Sequence, residues 1–121
     1  MIQLPYNLAM PEALTLANHE MPDGRKVNTL AASDMLGMMT CASASLLQGQ
    51  LTRGLPKMIA EVLAGMESDA QRALQFVRST PGVAVALTGM SSPEHVKENL
   101  ATAKHPPAPY DEFTKLFKHD E

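Results

Sequence analysis

Only one cysteine, Cys41, occurs in the 121 residues. It cannot close an internal disulfide, which fits a reducing compartment and sets the expectation of a cytoplasmic protein. Cys41 lies in an apolar stretch with no His or Lys beside it, so it reads as a buried structural thiol rather than a reactive one. A dense Lys/Arg stripe is missing, and the net charge is −3 at pH 7. Nothing electrostatic therefore draws the chain to DNA, RNA or an anionic membrane, and none of these is expected as a partner. Long apolar runs are missing too. The longest is Val83–Leu87, far below the roughly 20 residues that span a bilayer. The opening segment, Met1–Met10, has no basic stretch followed by a continuous apolar one and does not read as a secretory signal. No fixed-period repeat or low-complexity stretch occurs.

What is present is a hydrophobic fraction of 45%, ordinary for a globular chain, on a length that suits one small domain or part of a larger one. A type of unit recurs: a short apolar segment, a polar connection, then a helical pattern. Ile2–Tyr6 is the first expected strand, and Pro22-Asp23-Gly24 marks a turn in the loop after it. Val27, Leu30, Ala31 and Met35 recur at helical spacing, with Gly37 placed to end that helix. Met38–Ala42 reads as the second strand. Pro56 suits the first turn of a helix whose apolar face is Ile59, Val62, Leu63 and Met66. Ser68 and Gln71 form a capping-box pattern ahead of a stripe of Ala70, Ala73, Leu74 and Val77, which stops by Thr80-Pro81-Gly82.

Val83–Leu87 is the clearest strand, continuously apolar as a strand covered on both faces should be. Ser91-Ser92-Pro93-Glu94 then supplies a hydroxyl cap, a proline at the first helical position and a first-turn carboxylate. Val96, Leu100 and Ala103 mark the expected buried side of that helix. Residues 105–121, with Pro106-Pro107-Ala108-Pro109, read as an extended tail outside a body formed by residues 1–104. Strands alternating with helices imply parallel pairing through right-handed crossovers. Three strands cannot close a barrel, and a parallel sheet covered on one side leaves apolar surface and edges open. The pattern therefore reads as a piece of something larger.

Two connections have the composition for binding. Thr88-Gly89-Met90-Ser91-Ser92 leaves a strand and opens a helix, aiming free N–H groups and a positive dipole end outward, as suits phosphate. His95 and Asn99 share a face one turn apart, with Glu98 beside them. Thr40–Gln50 follows the second strand with small residues and hydroxyls that let a phosphate approach closely, but it lacks the Gly-Lys-Ser/Thr ending of a Walker loop. Other constellations fail. His19, His95, His105 and His119 show no metal-ligand spacing, no Gly-x-Ser-x-Gly elbow occurs, and Glu12, Glu20 and Asp23 are not set up as an acid/base couple. The nine Met read as core filler.

Three of these segments, in order, resemble the C-terminal part of an aldo/keto reductase. Ile2-Gln3-Leu4-Pro5-Tyr6-Asn7 is similar to that family's sixth barrel strand, and Ser45-Leu46-Leu47-Gln48-Gly49-Gln50 to its Leu-Leu-x-Gly-Lys loop after the seventh. Leu74–Leu100 resembles its last strand and following helix, including the Gly-x-Ser-Ser turn and the Glu98-Asn99 pair. The resemblance implies an α/β fold made of about the last three βα units of a (β/α)8 barrel, with parallel strands. It also implies a nicotinamide cofactor, NADPH, with NADH as the alternative. Carried over by position, Gln3 would hold the carboxamide, and Thr40, Ser43, Leu46 and Gln50 would lie along the pyrophosphate. Gly89, Ser91, Ser92 and His95 would surround the adenosine phosphate, and Glu98 and Asn99 would bind adenine.

The departures are specific. Nothing corresponds to the family's catalytic Asp, Tyr, Lys and His, because Tyr6 and Tyr110 are at other places. Gln50 stands where the loop Lys is expected, His95 where Arg often lies near the 2′-phosphate, and Met39 near the position of the stacking aromatic. Arg53 and Lys57 are the basic residues available to compensate. The expectation is a cofactor-binding portion of an NAD(P)H-dependent oxidoreductase that does not turn over alone. An N-terminal half-barrel chain is its expected partner, or self-association if it is a non-catalytic nucleotide-binding module.

Overall fold

A computed structural model describes residues 1–118; His119 lies outside the described residues. In chain order the elements are β1 (Ile2–Pro5), α1 (Glu12–Thr15), β2 (His19–Glu20), β3 (Lys26–Val27), α2 (Thr29–Met35) and β4 (Thr40–Ser43). They continue with α3 (Lys57–Val62), α4 (Asp69–Ser79), β5 (Val83–Ala86), α5 (Pro93–Thr102), α6 (Tyr110–Phe113) and a closing 3₁₀ turn, Thr114–Phe117. The architecture is mixed α/β. β1, β4 and β5 form a parallel sheet in that order, with Ile2 opposite Thr40 and Thr40 opposite Val83. All three strands fall where the apolar pattern predicts, each one residue shorter than expected, with the second starting two residues later and ending one later.

The loop after β1 holds more order than its polarity predicts. β2 and β3 pair antiparallel around the Pro22-Asp23-Gly24 turn, in which Gly24 N–H donates to the Met21 carbonyl at 2.8 Å. Gly24 has φ +85°, a left-handed conformation that a side chain resists. α2 begins at Asn28, whose side chain accepts the Ala31 N–H at 2.7 Å. It ends at Gly37 (φ +69°), where the Gly37 and Met38 amides donate back to the Asp34 and Ser33 carbonyls.

The core lies between the sheet and the helices. Tyr6, Leu30, Ala42, Ile59, Leu63, Phe76, Val77 and Phe113 form one buried cluster. α4 presents the stripe that its spacing predicts, Ala70, Ala73, Leu74 and Val77, and adds Phe76. The Phe76 ring stacks on Tyr6 at 5.4 Å between centroids and meets Phe113 at 5.5 Å. Cys41 is buried, as expected.

Three expectations need correction. The tail is not extended throughout: α6 carries Phe113 into the core at 1% exposure, and Phe117 packs against that cluster. Aromatic burial outweighs the proline-rich segment's preference for an open conformation. On α5, Val96, Leu100 and Ala103 are exposed, and Asn99 and Thr102 are buried instead. Polar bonds set this rotation. Gln71 Nε2 donates to the Glu98 carbonyl at 2.9 Å, and Arg78 Nη1 to the Thr102 carbonyl at 2.8 Å. Met35, placed in the buried stripe of α2 by spacing, is exposed, while Ser33 turns inward to bond Thr40.

The sheet is covered on one face. Strand residues alternate between faces, so Leu4 and Ala42 meet the helices while Gln3 and Pro5 are exposed opposite them. On that second face Val85 and, just beyond the strand, Leu87 stand 39% and 40% exposed. β1 and β5 each have a free edge in this sheet.

Candidate functional site

The connection after β4 turns sharply. Ala44, Leu47 and Gln48 have positive φ (57°, 48° and 54°), a sparsely populated region for residues with side chains. Asn7 holds this turn to the end of β1. Fully buried, it donates from Nδ2 to the Ala44 carbonyl at 2.9 Å, and its Oδ1 accepts the Ala9 and Met10 amides. Within the loop, Leu51 N–H donates to Leu46 O and Thr52 Oγ1 to Gly49 O. At its far end Leu55 N–H donates to Asp69 Oδ2 at 3.1 Å. That bond first, and the Arg72 guanidinium 2.7 Å from Oδ1, hold the Asp69 carboxyl below its usual 3.8.

The connection after β5 is shorter. Leu87 N–H donates to the Ala42 carbonyl, extending the pairing one residue before the chain enters Thr88–Ser92. Ser92 caps α5 by accepting the His95 N–H at 3.2 Å, with Pro93 in the first helical turn, as the sequence predicts. Ser91 Oγ lies 3.3 Å from His95 Nδ1. Ser68, the cap of α4, donates to Glu98 Oε1 at 2.6 Å while accepting the Gln71 N–H. The start of α4 is thereby tied to the middle of α5.

A cleft of about 1090 Å³ opens between these two connections, at the C-terminal ends of β4 and β5. Of the residues singled out in the sequence, Leu46, Gln50, Gly89, Ser91, His95, Glu98 and Asn99 line it together. Gln3, Thr40, Ser43 and Ser92 do not. Gln3 is exposed on β1, and Ser43 ends β4 half-buried. Thr40 starts β4, the end of the strand remote from the cleft, with its hydroxyl 2.8 Å from Ser33 Oγ. The Ser92 hydroxyl is taken up by the helix cap. Met39 is exposed ahead of β4.

Ser45 and Thr88, which lie in the two candidate connections without a role of their own, and Arg53, named as a compensating cation, also line the cleft, and the structure adds Thr52, which the sequence did not single out. Ser45 is 1% exposed, and neither its Oγ nor Thr88 Oγ1 has a hydrogen-bond partner. The cleft offers, among the described residues, hydroxyls, amides, one guanidinium from Arg53, one imidazole and one carboxylate. Among the described residues no three His, Cys, Asp or Glu side chains gather as a metal site would require, and no helix is long and apolar enough to cross a membrane. No protein-family model matches the chain, and a search of curated proteins finds no match.

Proposed function

We propose that the chain is the C-terminal, cofactor-binding portion of an aldo/keto-reductase-like oxidoreductase, built as about the last three βα units of a (β/α)8 barrel. It would bind NADPH or NADH in the cleft at the ends of β4 and β5. One observation carries this reading: seven residues from two separate connections, chosen for their likeness to cofactor contacts, line one cleft on the side of the sheet where parallel barrels keep their sites. The uncovered sheet face and two free edges favour the same view, because a parallel sheet is ordinarily covered on both faces. An N-terminal half-barrel chain would complete it. Among the described residues no tyrosine or lysine lines the cleft, so the family's proton-donating set would come from the missing part of the barrel, and the chain alone is expected not to turn over.

Calorimetric titration with NADPH and NADH tests the site, and aldehyde-dependent NADPH oxidation tests the activity. Weak dinucleotide binding without turnover is the expected result. Absence of any binding overturns the cofactor reading, and turnover comparable with a complete enzyme overturns the division of labour. A second reading, a standalone nucleotide-binding module that associates with itself, draws on the exposure of Val85 and Leu87 on the open face. Light scattering showing a defined dimer would favour it.

A further inference from the structure

A second hollow, of about 590 Å³, opens at the other end of β5. Pro81 and Gly82, which precede that strand, line it, whereas Leu87, Thr88 and Gly89, which follow the strand, line the cleft. One wall comes from α2: Asn28, Ala31 and Asp34 recur three residues apart and so share a face of that helix. The C-terminal segment contributes Tyr110, Phe113 and Phe117. Phe113 is 1% exposed and belongs to the core, so the apolar side of the hollow continues into the packed interior. The walls are also held to one another. Asn28 Nδ2 donates to the Leu14 carbonyl of α1 at 2.9 Å, and its Oδ1 accepts the Ala31 amide. Gly82 packs so closely on α2 that an added Cβ would stand 3.3 Å from the Leu30 carbonyl oxygen. A hollow of this size, mostly apolar and largely pre-formed, has the character of a small-molecule site.

The neutral polar side chains around it are already engaged. Asn28 uses both of its groups, Thr15 Oγ1 donates to the Pro11 carbonyl at 3.2 Å, and Thr114 Oγ1 donates to the Asp111 carbonyl at 3.0 Å. Asp34 is the exception. Among the described residues it is the only charged side chain that lines the hollow, it is exposed, and it makes no ion pair. Tyr110, 65% exposed, and the half-buried Phe117 line the same space. A carboxylate only accepts, and an aromatic ring presents a negative face, so both attract a cation and both disfavour an anion. The character is opposite to that of the cleft, whose hydroxyls and Arg53 suit an anion.

We propose that this hollow binds a small organic cation: an ammonium group carried on an aromatic or branched aliphatic body. The ammonium sits at Asp34, and the body lies against the Tyr110 and Phe117 rings. The site is separate from the dinucleotide cleft and does not depend on it.

The test is a two-dimensional NMR titration of the full chain with phenethylammonium, 2-phenylethanol and phenylacetate, which share one body and differ in the head group. Phenethylammonium should shift the Ala31, Gly82 and Phe113 amides and bind about fivefold more tightly than the alcohol, as an exposed ion pair allows. Phenylacetate should bind most weakly. Asp34→Asn should abolish the preference for the ammonium while leaving the alcohol unchanged. Tyr110→Ala should weaken the ammonium by about two- to fivefold, the range of an exposed cation–π contact. Both side chains are exposed, so neither replacement removes core packing. Equal binding of the ammonium and the alcohol overturns the proposal, as does a preference that survives in Asp34→Asn. Shifts centred on the cleft, or no shift with any of the three, overturn it as well.

Discussion

The two faces of the β1–β4–β5 sheet come from the same few residues and end in different states. On the helical face, Tyr6, Ala42, Phe76 and Phe113 close into a stacked core. On the other, Gln3, Pro5 and Val85 are exposed, and the buried Cys41 has Met1 beside it, sulfur to sulfur at 3.7 Å. β1 alternates, with Leu4 toward the helices and Gln3 away from them, whereas β5 is apolar on both sides. A continuously apolar strand such as Val83–Leu87 encodes two coverings, and this chain supplies one. The cleft sits at the C-terminal ends of β4 and β5.

That contrast can be broken from the closed side first. Phe76→Ala removes the ring that joins Tyr6 to Phe113 and should destabilise the fold by about 3–5 kcal/mol, read by urea denaturation. Asn7→Ala should cost about 1–3 kcal/mol, because it strips partners from the Ala44 carbonyl and the Ala9 and Met10 amides. Hydrogen exchange should then speed up most in the loop after β4 and less in the α4 amides; an equal acceleration throughout would contradict Asn7's role as the tie between β1 and the cleft.

A pH series sharpens the comparison at the edge of the site. The folded state holds Asp69 below 3.8 through Leu55 and Arg72, so its unfolded chain takes up the proton first on acidification. The stability it contributes is present above that value and is lost as the pH falls through the lowered one. Asp69→Asn should flatten the acid limb of a stability-versus-pH curve. Tyr6 runs the other way: burial raises its phenol above the usual 10, so stability is full below pH 10 and declines as the pH rises past it. Tyr6→Phe should remove that alkaline decline, and an unchanged slope would argue against the buried phenol as its source. The smallest effect belongs to the open face. Leu87→Ser should change the stability of the isolated chain by no more than about 0.5 kcal/mol. A larger loss would mean that something covers this face in solution.

Much of this was legible because it is local. The Ser68 and Ser92 caps, the Gly37 stop and the α4 stripe each depend on residues within a few positions of one another, and all fall where the sequence predicts. The capping box was foreseen with one difference: Gln71 Oε1 accepts from the Glu67 amide, not that of Ser68. The exposed side of α5 was not legible. Val96 and Leu100 have the spacing of a core stripe, but Gln71, Ser68 and Arg78, all about 24–30 residues away, fix the helix by its polar side. The tail failed for a similar reason, since the partner that folds it, Phe76, lies far up the chain.

The sequence by itself determined the three strands of the main sheet and the caps and stops of α2, α4 and α5, because hydrophobic period, capping side chains and left-handed glycines act over a few residues. It also marked most of the residues that line the cleft. Only the tertiary structure decided that two connections some 40 residues apart share one cleft, that Ser45, Thr88 and Arg53 enter it, and that one sheet face stays bare. Those outcomes depend on how packed elements rotate against each other, and no local pattern of residues carries that rotation.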